Sequence, residues 1–195
     1  MAELYDLAPT EMRPGEDRVT RFIAELEAVS GTASRVGRDG LVADVLAALA
    51  KVEAQHVALA ADLGGARDEL AAALRDAGLE VWMYEDVAPD RATSRNLDAT
   101  VTGCIAAVAA TGSILTGGAS GRAGALIAPT HVCVVEETRI LDGLLATLRL
   151  AATLGASGMA LQSGPSRTAD IEKTLILGMH GPKYVHCTVL DGSLG

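Results

Sequence analysis

The chain has 195 residues, of which 49% are apolar and 21% charged, enough for one compact domain with a buried core. Its 16 basic and 25 acidic residues give a net charge of −9 with no Lys/Arg cluster, which argues against nucleic acid and anionic membranes as partners. Aromatic residues make up only 3%, so base stacking is disfavoured and the core must be filled by Ala, Leu, Val and Ile.

Residues 1–17 read as a loosely ordered segment carrying Pro9, Pro14 and Gly15, and residues 18–195 as a single α/β domain. From Arg18, the residues Val19, Phe22, Ile23 and Leu26 recur at helical spacing, with Gly31 as a stop. Asp39 or Gly40 opens a second helix with Leu41, Val45, Leu46 and Leu49 on its apolar face. His56 to Ala60 is strand-like, Asp62 to Ala77 helical, and Leu79 to Tyr84 alternates like a strand, which makes one β-α-β unit. Ala99 to Thr102 reads as a short strand, Ile105 to Ala110 as a short helix, and Gly112 to Thr116 as a strand. His131 to Val135 is a continuous buried strand, followed by a helix over Glu136 to Leu150 with Ile140, Leu141, Leu144, Leu145 and Leu148 inward. Met159 to Gln162, a helix from about Thr168 to Leu177, and Tyr184 to Leu190 complete another β-α-β unit. Strands and helices alternating in this way imply a mostly parallel sheet covered on both faces, with ligands outside the carboxyl ends of the strands.

The cysteines Cys104, Cys133 and Cys187 are far apart and form no C-x-x-C, so they are neither a disulfide framework nor an iron–sulfur ligand set. Cys133 and Cys187 sit in strand-like runs, as buried thiols do, and a reducing cytoplasm fits. No basic-then-apolar leader is present, and the Ala-rich run from Cys104 to Leu115 is too short to span a bilayer.

The most informative stretch runs from Ser163 to Glu172. An apolar run breaks at Gly164-Pro165-Ser166, and Thr168, Asp170 and Glu172 then open a new periodic segment. This reads as strand, turn and helix N-terminus, a junction whose free N–H groups and hydroxyls suit an anion. The same residues also read as an ordinary capped helix with acids at its positive end. On a helix Asp170 and Glu172 point about 200° apart, so they cannot serve one substrate as a pair. His180-Gly181-Pro182 forms a second turn, where His180 can donate to a ligand, act as acid or base, or simply bond local carbonyls. Thr111-Gly112-Ser113 and the loop Gly117 to Arg122 are further candidates for cradling a phosphate or carboxylate, though neither is a G-x-G-x-x-G or Walker loop. The four His show no metal-binding pair, and a triad of Ser166, His180 and Asp170 lacks the G-x-S-x-G elbow.

Four motifs in order, Ala-Thr-Gly-Ser from Ala110, Ala-Pro-Thr-His-Val-Cys-Val-Val from Ala128, the Ser163–Glu172 stretch, and Leu-Gly-Met-His-Gly-Pro-Lys from Leu177, resemble the lactate-utilisation (LUD) domain, in its short form of the lactate utilisation protein C type. The resemblance covers about Ala99 to Asp191 and, more loosely, the α/β region before it. It implies a three-layer α/β/α fold with a mostly parallel sheet, similar to the sugar-phosphate isomerase and CoA-transferase (NagB/RpiA-like) group. It also implies a bacterial, cytoplasmic role in oxidising L-lactate to pyruvate alongside iron–sulfur subunits, with no cofactor bound by this chain. Independently of the resemblance, the turns are expected to converge at one sheet edge in a pocket for a small carboxylate or phosphate comprising Thr111, Gly112, Ser113, Gly164, Pro165, Ser166, Thr168, Asp170, Glu172, His180 and Gly181. His180 is the candidate closest to any chemistry. Ala110 departs from the family's frequent Glu before Thr-Gly. Two other roles stay open: a stand-alone isomerase or acyl/CoA transferase, for which Glu172 would be the nucleophile, and a non-catalytic assembly scaffold.

Overall fold

The computed structural model describes residues 12, 15–88, 90–117, 124–154, 158–169, 175–177 and 181–195. A six-stranded parallel sheet forms its centre, in the order β1 (Thr32–Gly37), β12 (Tyr184–Asp191), β7 (Thr130–Glu136), β4 (Ala99–Thr102), β2 (His56–Leu59) and β3 (Glu80–Met83). β4 and β7 lie in the middle of the sheet with both faces covered, and every residue of these two strands is buried.

Because side chains alternate along a strand, β7 feeds two cores. Val132 and Val134 join Leu41, Val45 and Leu49 of α2 (Leu41–Ala50) and Leu70 and Leu74 of α3 (Ala66–Asp76). On the other face, Cys133 and Val135 join Phe22 and Leu26 of α1 (Arg18–Ala28) and Ile114. Asp17 starts α1 by accepting from the Thr20 backbone N–H at 2.9 Å. Two short helices, α4 (Tyr84–Val87) and α5 (Arg91–Ser94), carry the chain from β3 to β4.

The layer on the α1 side departs from the expected all-helical cover. It contains a four-stranded sheet ordered β8 (Ile140–Leu141), β5 (Ala106–Val108), β6 (Ser113–Thr116) and β9 (Ala160–Gln162). The stretch expected as a short helix after Ile105 is therefore the strand β5, followed by a 3-10 turn over Ala109–Thr111. The helix expected over Glu136–Leu150 instead starts at Leu144, as α6 (Leu144–Leu154), after β7 has run on to Glu136 and β8 has paired with β5. Its inward residues are Thr147 and Ala151, while Leu145 and Leu148 are 51% and 53% exposed. Ala151 packs with Ala106 and Leu115 on the outer side of the small sheet.

The helix expected over Thr168–Leu177 has strands at both of its ends, with residues 170–174 outside the described residues. β10 (Arg167–Ala169) pairs antiparallel with β11 (Leu175–Leu177), Thr168 opposite Ile176. β-branched residues favour that extended geometry. β9 likewise pairs antiparallel with β6 and is no member of the central sheet, so β9 and β12 do not form a β-α-β unit. β1 escapes the hydrophobic pattern because it is an edge strand whose residues are all exposed or half-buried. Among the described residues no helix is long and apolar enough to cross a membrane.

Candidate functional site

The turn after β9 is clamped from two sides. Gly164 has φ +68°, and a Cβ there would lie 2.8 Å from both the carbonyl oxygen and a methyl carbon of Val29, so only glycine fits without displacing the end of α1. Arg167 Nη2 donates to the Val29 carbonyl and to Ser30 Oγ, each at 2.7 Å. On the other side the Ser166 backbone N–H donates to the Pro182 carbonyl at 2.9 Å. Gly181 packs so closely that a Cβ would come within 3.2 Å of Ser166 Cβ. The two turns singled out in the sequence thus meet directly.

Between them lies a cleft of about 280 Å³, whose wall includes Thr116, Gln162, Ser163, Ser166, Gly181 and Pro182. Its position corrects the expectation of a pocket at the carboxyl ends of the strands. Pro182 lies just before β12, and Ala125 and Leu126 of the same cleft lie just before β7, so the cleft opens beside the amino-terminal ends of both strands.

A chain of hydroxyls runs behind it. Thr111 Oγ1 lies 2.7 Å from Ser113 Oγ, which lies 2.6 Å from Ser163 Oγ. Gly112 between them is left-handed (φ +60°), and a Cβ there would be 2.2 Å from the Leu26 backbone nitrogen. It anchors the turn on α1 rather than facing the cleft. Ala110 is buried, and its N–H donates to the Asp142 carbonyl at 3.2 Å.

Beneath the cleft, His131 is fully buried on β7. Its Nδ1 is 2.8 Å from the Gln162 side-chain amide, and its Nε2 is 2.8 Å from Thr102 Oγ1. Burial pushes the imidazole pKa down to about 4, so the ring is neutral near pH 7 and carries one N–H. The Thr102 hydroxyl has one proton and donates it to the Gly103 carbonyl at 2.7 Å, so the ring proton lies on Nε2, facing Thr102 Oγ1, and Nδ1 is the acceptor that faces the Gln162 side-chain amide. Gln162 is 8% exposed.

The structure therefore gathers Gly164, Pro165, Ser166 and Gly181 at the cleft and links Ser113 and Thr111 to it through Ser163. Thr168 lies on β10, not at a helix start. Asp170, Glu172, His180 and the Gly118–Arg122 part of the glycine-rich loop lie outside the described residues. Sequence reasoning missed Gln162, left Ser163 out of the pocket although it opens the singled-out stretch, and treated His131 as a core or edge residue. The available signal was a lone amide ending an apolar run immediately before the Ser-Gly-Pro-Ser turn.

A second buried polar cluster lies across the sheet. His186 Nε2 donates to Asp44 Oδ2 at 3.1 Å, and Thr188 Oγ1 donates to the same oxygen at 2.7 Å. Thr32 Oγ1 sits 2.8 Å from His186 Nδ1. A larger hollow of about 700 Å³ between α2 and α3 is lined mainly by Leu and Ala and receives none of the motif residues. Among the described residues no cluster of His, Cys, Asp or Glu is arranged to hold a metal, and all three cysteines are free and buried.

A mostly parallel six-stranded sheet, flanked by a small mixed sheet that carries a Ser-Gly-Pro-Ser turn against a Gly-Pro turn, defines an α/β protein with a compact edge cleft. The family model for the LUD domain matches residues 19–190, and the chain belongs to that family. A lactate utilization protein C from Deinococcus radiodurans is 35% identical over 98 residues, 48% of this chain and 46% of that protein. One from Bacillus licheniformis is 28% identical over 125 residues, covering 58% and 52% respectively. The matched stretches thus span about half the length of these relatives. The fold is shared with a crystal structure of a DUF162 family protein from Deinococcus radiodurans, with a TM-score of 0.65 and 23% identity over 89% of this chain and 96% of that one.

Proposed function

We propose that this chain is a cytoplasmic component of L-lactate utilisation that holds a small carboxylate or phosphate in the cleft between the Gly164–Ser166 and Gly181–Pro182 turns. Family membership and relatives named for lactate utilisation support the pathway. The observation that carries the site is the bond from the Ser166 N–H to the Pro182 carbonyl, which brings two motif turns distant in sequence onto one cleft.

In this reading Ser163 and Ser166 offer hydroxyl donors to the ligand's oxygens, while the hydroxyl chain from Thr111 keeps Ser163 oriented. The chain acts as an accessory subunit, and oxidation of lactate to pyruvate proceeds on iron–sulfur subunits that it accompanies. Calorimetry with L-lactate, pyruvate and inorganic phosphate tests the cleft, comparing the wild type with Ser166→Ala. Wild-type binding that weakens in the variant supports it, and absence of binding by all three contradicts it. Affinity capture from lactate-grown cells tests the assembly, with recovery of iron–sulfur proteins as the expected result.

A further inference from the structure

We propose that Thr32, His186 and Asp44 form an acyl-transfer site on the α2 side of the central sheet, with the Thr32 hydroxyl as nucleophile and a small ester or thioester as substrate. The site stands or falls separately from the cleft beside Gly164–Ser166. Its parts converge through strand register. Thr32 and His186 are direct neighbours on β1 and β12. Val185 and Cys187 pack into the α1 core, so alternation along β12 turns His186 and Thr188 towards α2, where Asp44 meets both.

The three groups stand in the order that an activated nucleophile needs. Hydrogen bonds from His186, Thr188 and Ser34 outweigh burial and keep the Asp44 carboxyl below its usual pKa range, hence ionised. An ionised carboxylate only accepts, so His186 Nε2, 3.1 Å from Asp44 Oδ2, carries a proton. In the neutral ring Nδ1 is then an acceptor, and the Thr32 hydroxyl donates to it at 2.8 Å. The other acceptor within reach of that hydroxyl, the Val185 carbonyl, is 3.5 Å away. His186 is buried and Thr32 exposed, so the base is shielded while the nucleophile is open to a substrate. Such a triad is recognised by its geometry and roles rather than by a sequence pattern.

The surroundings supply what the triad lacks. Thr32 and His186 line a pocket of about 220 Å³ at the amino ends of β1 and β12, whose walls include Ala48, Lys51, Val52 and Tyr184. In a chain of net charge −9 this lining holds no Asp or Glu. Lys51 forms no ion pair among the described residues, which leaves its ammonium to meet an oxyanion. The apolar walls suit an acyl group of a few carbons. Thr32 Oγ1 bonds to the acyl carbon as its proton passes to His186 Nδ1. The bond from that carbon to the leaving oxygen or sulfur breaks, and His186 returns the proton to the departing alcohol or thiol. Water then attacks the acyl-Thr32, giving a proton to His186, which passes it to Thr32 Oγ1 as the free acid leaves.

Hydrolysis of p-nitrophenyl acetate tests this. The wild type should turn the ester over, and Thr32→Ala should lose on the order of a hundredfold or more in kcat. Thr32→Ser, which keeps the hydroxyl, should retain activity. Acid quenching of the wild type during turnover should leave an acetyl group on the peptide that carries Thr32, read by mass spectrometry. Asp44 acts through His186, so Asp44→Asn should lower kcat with KM kept, since an amide can hold the ring in the wrong tautomer. Absence of wild-type turnover, equal rates in wild type and Thr32→Ala, a Thr32→Ser variant as slow as Thr32→Ala, or acetyl groups on other peptides alone would each overturn the activity. An unchanged kcat per folded molecule in Asp44→Asn overturns the orienting role.

Discussion

His131 on β7 and Gln162 on β9 meet at 2.8 Å between the ring's Nδ1 and the side-chain amide, and this bond ties the central sheet to the small sheet beneath the cleft. The two residues are 31 positions apart and belong to different sheets, so their distance reports how the layers dock. A polar contact in that place fixes a register that aliphatic packing alone would leave freer to slide.

The first expectation concerns acid. Burial holds the His131 pKa at about 4, below its ordinary value of 6.5. The unfolded chain therefore binds a proton between those values that the folded chain does not, and stability rises with pH across that window. The contribution is intact above about pH 6.5 and is lost progressively towards pH 4, by about 3 kcal/mol in all. Urea melts of wild type and His131→Asn from pH 4 to 8 check this. The difference between them should shrink as pH falls, and a difference independent of pH would contradict it.

Asp44 supplies the second. Burial acts to raise its pKa, but hydrogen bonds from His186, Thr188 and Ser34 outweigh it and hold the carboxyl below its usual range. Its contribution is therefore present above the ordinary carboxylate pKa and disappears as pH falls through the lowered value. Asp44→Ala should cost about 3 kcal/mol at neutral pH, since it strands buried partners on β12. Thermal melts at pH 7 and pH 3 should show a smaller cost in acid, and an equal cost at both would contradict it.

Two glycines test backbone demand. Gly112 and Gly78 both have positive φ, but a Cβ on Gly112 would strike the α1 backbone at 2.2 Å while one on Gly78 meets nothing within 4 Å. Gly78→Ala should cost about 1–2 kcal/mol, the conformational strain alone. Gly112→Ala should cost on the order of 4 kcal/mol or more, because helix and turn must separate. Similar melting temperatures for the two variants would contradict the close approach.

Much of the central sheet was legible in the sequence. Unbroken buried runs such as His131–Val135 leave no face for solvent, and the glycine and proline punctuation around them was clear. The small sheet was not. Its strands are two to four residues long, too short to show a period, and the Ala-rich β5 carries no strand signature. The misread helix at Thr168–Leu177 arose because acids after a Gly-Pro-Ser turn imitate an N-terminal cap, whereas the pairing of Arg167–Ala169 with Leu175–Leu177 is tertiary information. At the site, Gly164, Ser166 and Gly181 were visible because turns need particular residues. Gln162 and Ser163 were not, because their role depends on His131 and Ser113 arriving from elsewhere in the chain.

The hydroxyl chain gives a fourth expectation. Ser113→Ala and Ser163→Ala each remove one end of the same 2.6 Å contact. Their costs should therefore not add, with a coupling of about 0.5–1 kcal/mol in a double-mutant cycle by urea unfolding. Additive costs would show that the two hydroxyls act separately.

The most direct test of the central claim is a crystal structure of this protein grown with saturating pyruvate. Density for the acid is expected in the cleft between the Gly164–Ser166 and Gly181–Pro182 turns, with an oxygen within hydrogen-bonding distance of Ser163 or Ser166. Density for the acid elsewhere on the molecule, with this cleft left to solvent, would contradict it.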